Sequence, residues 1–167
     1  SGLKYRAYNT YSGGVGSPNP DSLVSGSLSS TEGTSTQIIS FSISSANTVI
    51  WRGYFKPDLT STSWQFRTTS KDGSYVWLDT NAEQPAADLN PANAIVDNSG
   101  VHSSATVESG NQSLDSDFYY VITLLAGSNT GAGSVTLEWR RDGGSWSSSG
   151  ASYLTSDSRY PDGLGED

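Results

Sequence analysis

The 167-residue chain has no cysteine, which excludes a disulfide-stapled scaffold and a structural zinc held by thiolates. Histidine occurs once, at His102, so no second imidazole can share a metal with it. Basic residues are scarce: nine Lys and Arg stand against seventeen Asp and Glu, a net charge of -8. A surface of that sign repels phosphate backbones, and no nucleic-acid partner is expected. Long apolar runs are missing too, so no membrane-spanning helix is expected. No nucleophile motif of the G-x-S-x-G kind is present. Glu32, Glu83, Glu108, Glu138 and Glu166 lie scattered, without the shared motif that a pair of glycosidase carboxyls would suggest. The chain is therefore not expected to be an enzyme. It starts at Ser1 with neither Met nor a positively charged leader, as expected of a processed protein or a module excised from something larger.

What is present describes one β domain. A hydrophobic share of 34% with 16% charged residues is enough for a core of its own. Eighteen Gly, nine Tyr and five Trp, with many Ser and Thr clusters, match the composition of secreted bacterial or viral surface domains. Leu3, Tyr5 and Ala7 share one parity in a first strand that runs to about Tyr11, and the glycines and prolines of "SGGVGSPNPD" then forbid regular pairing. Ile39, Phe41 and Ile43 recur at period two, "TVIWRGYFKP" is β-branched and aromatic until Pro57, and "SWQFRTTS" alternates Trp64 and Phe66 with Gln65 and Arg67. "SYVWLD" is apolar on both parities, as a strand covered on both faces requires.

Residues 80–93 carry two prolines and read as an inserted surface loop with at most a helical turn around Ala86 to Leu89. A brief strand in "NAIVDNSG", then "DFYYVITLLAG" and "SVTLEWRRDGGSW", complete about eight strands. Short strands separated by turn-rich loops predict an all-β fold, an antiparallel β-sandwich or a partly closed barrel. The sandwich is expected over 1–146. A Ser-, Gly- and Asp-rich tail or linker is expected over 147–167.

The ordered series "GLKYRAY", "WRGYFKP", "SWQFRTTSKDGSYVWLD", "NAIVDNSGVH", "YYVITLLAG" and "SVTLEW" resembles the family named after the insert domain of anthrax protective antigen, including its GLEYA and yeast-flocculin lectin branches. The resemblance covers roughly residues 2–140 and implies a jelly-roll-like sandwich of the protective-antigen insert type. It also implies carbohydrate binding in adhesins, flocculins, toxins or glycosidases. In the lectin branch one calcium ion lies between two loops. Two adjacent aspartates joined by a cis peptide supply carboxylates from the first loop; an Asn side chain and backbone carbonyls come from the second. Sugar hydroxyls complete the shell, as calcium's six to eight oxygen ligands permit.

Carried onto this chain, the aspartate pair falls on Lys71 and Asp72. The second loop falls on "GSNTGAG", so the implied metal ligands are Asp72, Asn129 and the carbonyls around Thr130, Gly131 and Ala132, and the implied sugar contacts are Lys71, Asp72, Ser128 and Asn129. Lys71 breaks the pattern, since an ammonium only donates hydrogen bonds. Three readings stay open. Lys71 points to solvent while the remaining oxygens hold calcium weakly, or Lys71 pairs with Asp72 in a metal-free site, or Asp79 or Asp97 contributes in another register.

Asp97 and Asn98 also read as turn chemistry, and His102 as a packed or hydrogen-bonded side chain. Tyr75, Trp77 and Trp139 read as core, whereas Trp146 and Tyr153 lie beyond the last clear strand and are candidates for an exposed stacking surface. Two functions follow. One is an extracellular lectin-like adhesion module, with the calcium dependence that the resemblance implies, whose partner is a cell-surface or polymeric glycan. The other is a structural subunit of a surface appendage or virion that self-assembles through strand edges.

Overall fold

The computed structural model describes residues 2–9, 11, 28–85, 88–150 and 152–156. The expected loop at 12–21, and residues 86 and 87 of the expected helical turn, lie outside them. Twelve strands run in chain order as β1 (Leu3–Tyr8), β2 (Leu28–Ser35), β3 (Phe41–Ile43), β4 (Asn47–Phe55), β5 (Ser61–Lys71), β6 (Ser74–Leu78), β7 (Val96–Asn98), β8 (Ala105–Glu108), β9 (Gln112–Leu114), β10 (Tyr120–Ser128), β11 (Gly133–Arg141) and β12 (Leu154–Thr155). They form an antiparallel sandwich. The larger sheet has the order β2-β1-β4-β10-β6-β7 with β12 on β4, and the smaller has β3-β11-β5-β8 with β9 on β5.

The core between the sheets is aromatic. Trp51, Phe55, Trp64, Phe66 and Trp139 are all buried, and Phe55 meets Trp64, Phe66 and Trp139 edge to face at 5.4, 4.9 and 5.4 Å, the arrangement ring quadrupoles favour. Alternation along β5 sends Trp64, Phe66, Thr68 and Ser70 inward. Toward its end, therefore, this strand's inward face changes from aromatic to hydroxylic.

Both faces of β6 are buried, as its double apolar parity requires. Its second face is covered by the segment read from sequence as an inserted surface loop. Ala82 and Leu89 pack there against Tyr8, Ile50, Tyr75, Trp77 and Leu125, and the Trp77 indole donates to the Asn90 carbonyl at 2.7 Å. Single 3-10 turns at Asp79–Ala82 and Pro91–Asn93 shape this cover.

Two further expectations are corrected. Ser40 has φ +45, which interrupts the alternation, so that Ile38 enters the core and Ile39 stays 49% exposed. Residues 147–150 and 152–156 belong to the sandwich rather than to a tail. Ser147 exchanges backbone hydrogen bonds with Trp139 at 2.9 and 2.8 Å, β12 pairs with β4, and Tyr153 stacks on Phe55 at 5.7 Å. The domain thus passes the expected boundary at residue 146, and 157–167 lie outside the described residues.

Candidate functional site

Among the described residues, four short connections cross from one sheet to the other at the same end of the sandwich. They are 44–46 (β3 to β4), 72–73 (β5 to β6), 99–104 (β7 to β8) and 129–132 (β10 to β11). Strand register sets them side by side. Lys71 pairs with Ser134 and Ser74 with Ala126, so the second and fourth arches are neighbours at both feet. Ser74 also pairs with Asn98 and Ser70 with Ala105, which puts 99–104 on the other flank. Asn47 pairs with Ser128 and Ile43 with Gly133, which brings 44–46 against 129–132. The two loops singled out from sequence are thus inter-sheet arches, and they meet because their flanking strands pair in both sheets.

Asp72 lies at the centre. Its backbone N–H donates to the Gly127 carbonyl at 3.0 Å, and the Gly127 N–H donates to the Gly73 carbonyl at 3.0 Å. The peptide joining it to Lys71 is cis. The side chain is 2% exposed. Oδ1 accepts the His102 backbone N–H at 3.1 Å and Oδ2 accepts the Asn129 backbone N–H at 2.8 Å, so one carboxylate ties three arches together. Bonds of this charge-assisted kind are stronger than neutral ones. Beneath it Ser70 donates to the Asp72 carbonyl at 2.7 Å, and Ser70, Ser74 and Thr68 form a chain of hydroxyls. Asn98 donates into this chain and to the Ala105 carbonyl. These partners satisfy the polar end of an otherwise apolar interior.

On the other side Ser128, fully buried, donates to the Gly131 carbonyl at 2.7 Å, the Gly131 N–H reaches Ser45 Oγ at 3.2 Å, and the Ala46 N–H reaches the Asn129 carbonyl at 3.1 Å. Gly133 permits this approach, because a Cβ there would lie 2.3 Å from the Lys71 carbonyl and 2.7 Å from Ser128 Cβ. Tyr11 closes the outer side, donating to the Gly100 carbonyl at 3.2 Å. Burial, and then the Asp72 charge, push its hydroxyl above the usual tyrosine range.

The Lys71 ammonium bridges the two central arches. It lies 3.4 Å from the Thr130 carbonyl and 3.3 Å from that of Ala132, and no ion pair with Asp72 is present. This corrects the reading that pairs the two side chains. Two of the three carbonyls implied as metal ligands face an ammonium instead.

A calcium ion needs six to eight converging oxygens, and the donors here do not fit that need. Asp72 is the one carboxylate and both its oxygens already accept backbone N–H groups, the Gly131 carbonyl is taken by Ser128, and the Thr130 and Ala132 carbonyls face the Lys71 ammonium. Among the described residues, no cluster of three His, Asp or Glu could hold a metal.

Other candidates are dispersed. Asp79 is at the far end of β6 and opens a 3-10 turn, and Asp97 accepts its own Ser99 N–H at 3.2 Å, a turn role. Neither supplies an alternative register for the site. Trp146 is half-buried, with the Arg67 and Arg140 guanidinium groups 4.3 and 4.4 Å from its ring centre, and Tyr153 is half-buried and packs against the core. Sequence reasoning missed the His102 amide as an Asp72 partner. "DNSGVH" carried that signal only as a resemblance, because a backbone donor leaves no side-chain signature. The opposite end of the molecule has a cleft of about 250 Å³ lined by Trp64, Trp139, Arg141 and Tyr153, with Asp58 as its one carboxyl.

An antiparallel sandwich whose inter-sheet arches converge on one buried aspartate defines a class of β-sandwich modules with a polar rim. The GLEYA domain model matches residues 47–141, and the chain belongs to the GLEYA domain family. Its fold is similar to the A domain of Epithelial Adhesin 6 from Candida glabrata, solved with Galb1-3GlcNAc. The TM-score is 0.71 at 17% identity, over 93% of this chain and 87% of that one. It is also similar to the PA14 domain of the MpAFP antifreeze protein, with TM-score 0.71 and 15% identity over 97% and 92%. The PA14 sugar-binding domain from an RTX adhesin gives 0.67 and 15% over 93% and 98%. No curated protein matches the chain.

Proposed function

We propose that this domain is a non-catalytic carbohydrate-binding module of adhesion, acting at a cell surface on surface or polymeric glycans. The rim formed by Lys71 and residues 129–132 is its binding site. Family membership supports the reading, as do folds shared with an adhesin solved with a β-galactoside and with a domain described as sugar-binding. The PA14 likenesses also support grouping the chain with the wider protective-antigen insert fold.

The observation that carries the proposal is the division of labour at the rim. Asp72 and Ser128 are buried and hold the arches, whereas Lys71 and Asn129 are half-buried and Thr130, Gly131 and Ala132 are exposed. Sugar contacts therefore fall to the latter five, with Asp72 and Ser128 as supports. Two of the three Lys71 donors face protein carbonyls. Among the described residues the third has no partner and suits a sugar hydroxyl.

A glycan array that includes terminal β-galactosides tests this. Wild type binds, and Lys71→Ala and Asn129→Ala each lose at least tenfold in affinity. Unchanged binding by both variants would place the site elsewhere. No binding to any glycan would favour the structural, self-assembling role.

A further inference from the structure

We infer that the Lys71 ammonium stands in the position of a divalent cation, so that this rim binds glycans without calcium. The sugar half of this statement rests on the proposed function; the ionic half does not.

The ammonium lies between the Thr130 and Ala132 carbonyls, two oxygens that a bound ion would otherwise draw together. Its single charge balances that of Asp72, the one carboxylate at the centre of the arches. A divalent ion entering here would meet a fixed positive charge a few ångströms away, with only one carboxylate to offset both.

The arches also do without an ion as a staple. Ser45 and Ser128 fix the Gly131 peptide, Ala46 fixes the Asn129 carbonyl, and Asp72 fixes the Asn129 and His102 amides. Each bond is made within the protein, so the shape of 129–132 does not depend on metal. Lys71 is moreover the last residue of β5, and its backbone is held by pairing with Ser134. The ammonium thus starts from an anchored strand rather than a free loop.

The test separates the two halves. Thermal unfolding of wild type, Lys71→Gln and Lys71→Asp is recorded in chelator and in calcium chloride alone. The same proteins are then applied to the β-galactoside array in both buffers. Wild type and Lys71→Gln melt at the same temperature with and without calcium. Lys71→Asp, which places two adjacent carboxyls at the rim, melts lower in chelator, and calcium at a hundredfold excess over its Kd raises its Tm by about 5 to 10 °C. On the array, wild type binds equally in both buffers, Lys71→Gln loses at least tenfold, and Lys71→Asp binds only with calcium.

A calcium-induced rise in the wild-type Tm, or loss of wild-type glycan binding in chelator, overturns the inference. A folded Lys71→Asp with no response to calcium also overturns it. Should Lys71→Asp fail to fold, the wild-type and Lys71→Gln melts still decide the ionic half. If wild type binds no glycan in either buffer while the melts behave as stated, the carbohydrate reading fails and the ammonium-for-metal assignment stands.

Discussion

Replacing Asp72 by alanine removes the acceptor of two backbone N–H groups at once. The bonds are 3.1 Å from His102 and 2.8 Å from Asn129, and the carboxylate is 2% exposed, so water does not replace it without loosening the arches. A hydrogen bond to a charged group contributes about 1.5 to 3 kcal/mol. Two give about 3 to 6 kcal/mol, and relaxation of the rim toward water brings the expected loss to the lower end, about 3 kcal/mol. For a domain of this size each kcal/mol shifts the midpoint by about 2 to 4 °C, so Tm falls by about 6 to 12 °C. Asp72→Asn keeps one acceptor oxygen but turns an NH2 group toward the other donor, and loses about half as much. Urea unfolding at neutral pH gives the energies, and amide hydrogen exchange at His102 and Asn129 reports whether the loss is local. A destabilisation below about 1 kcal/mol for alanine, with those two amides unchanged in exchange, would refute the claim that the carboxylate ties the arches.

Three further outcomes are expected. Gly133→Ala forces a Cβ into the Lys71 carbonyl; it costs about 1 to 3 kcal/mol as overpacking and weakens glycan binding at least tenfold, and unchanged affinity on the array would count against the close approach. Tyr153→Ala removes the ring stacked on Phe55 and costs about 2 kcal/mol by urea unfolding, whereas a flexible tail beyond residue 146 predicts no change. The Tyr75 hydroxyl, buried and without a hydrogen-bond partner among the described residues, is pushed up to about 12, mainly by burial; the nearby Ser99 side chain offsets part of this without bonding geometry. Its unfolded value is about 10, so between about pH 10 and 12 the native state keeps a proton that the unfolded chain loses, and stability falls by about 1.4 kcal/mol per pH unit. Tyr75→Phe removes that share of the slope, and parallel alkaline urea curves for the two proteins would disprove the assignment.

Much of the sandwich was legible because burial writes itself into side chains. The alternation of β5 and the double apolar parity of β6 gave both strands and their faces. β2 and β8 were not legible: "LSSTEGTS" and "ATVE" carry little apolar pattern and are held at sheet edges by backbone pairing. The cover over β6 reads as a loop because, among the described residues, only Ala82 and Leu89 in it are buried, too few to set a period. At the site, resemblance points to Lys71 and Asp72, and it makes Ser128 a sugar contact although Ser128 is buried beneath the arch. The role of Lys71 stays open in the sequence because its partners are carbonyls of a loop 59 and 61 residues away. Sequence carries no trace of which backbone oxygens a long, flexible side chain will reach.

The most direct test is an NMR titration of isotope-labelled protein with an array-positive glycan, carried out in chelator. The account predicts that perturbations centre on the amides of Lys71, Asn129, Thr130, Gly131 and Ala132, with affinity unchanged when calcium is restored. Perturbations centred on Trp64, Arg141 and Tyr153 at the opposite end, or none until calcium is added, would contradict it.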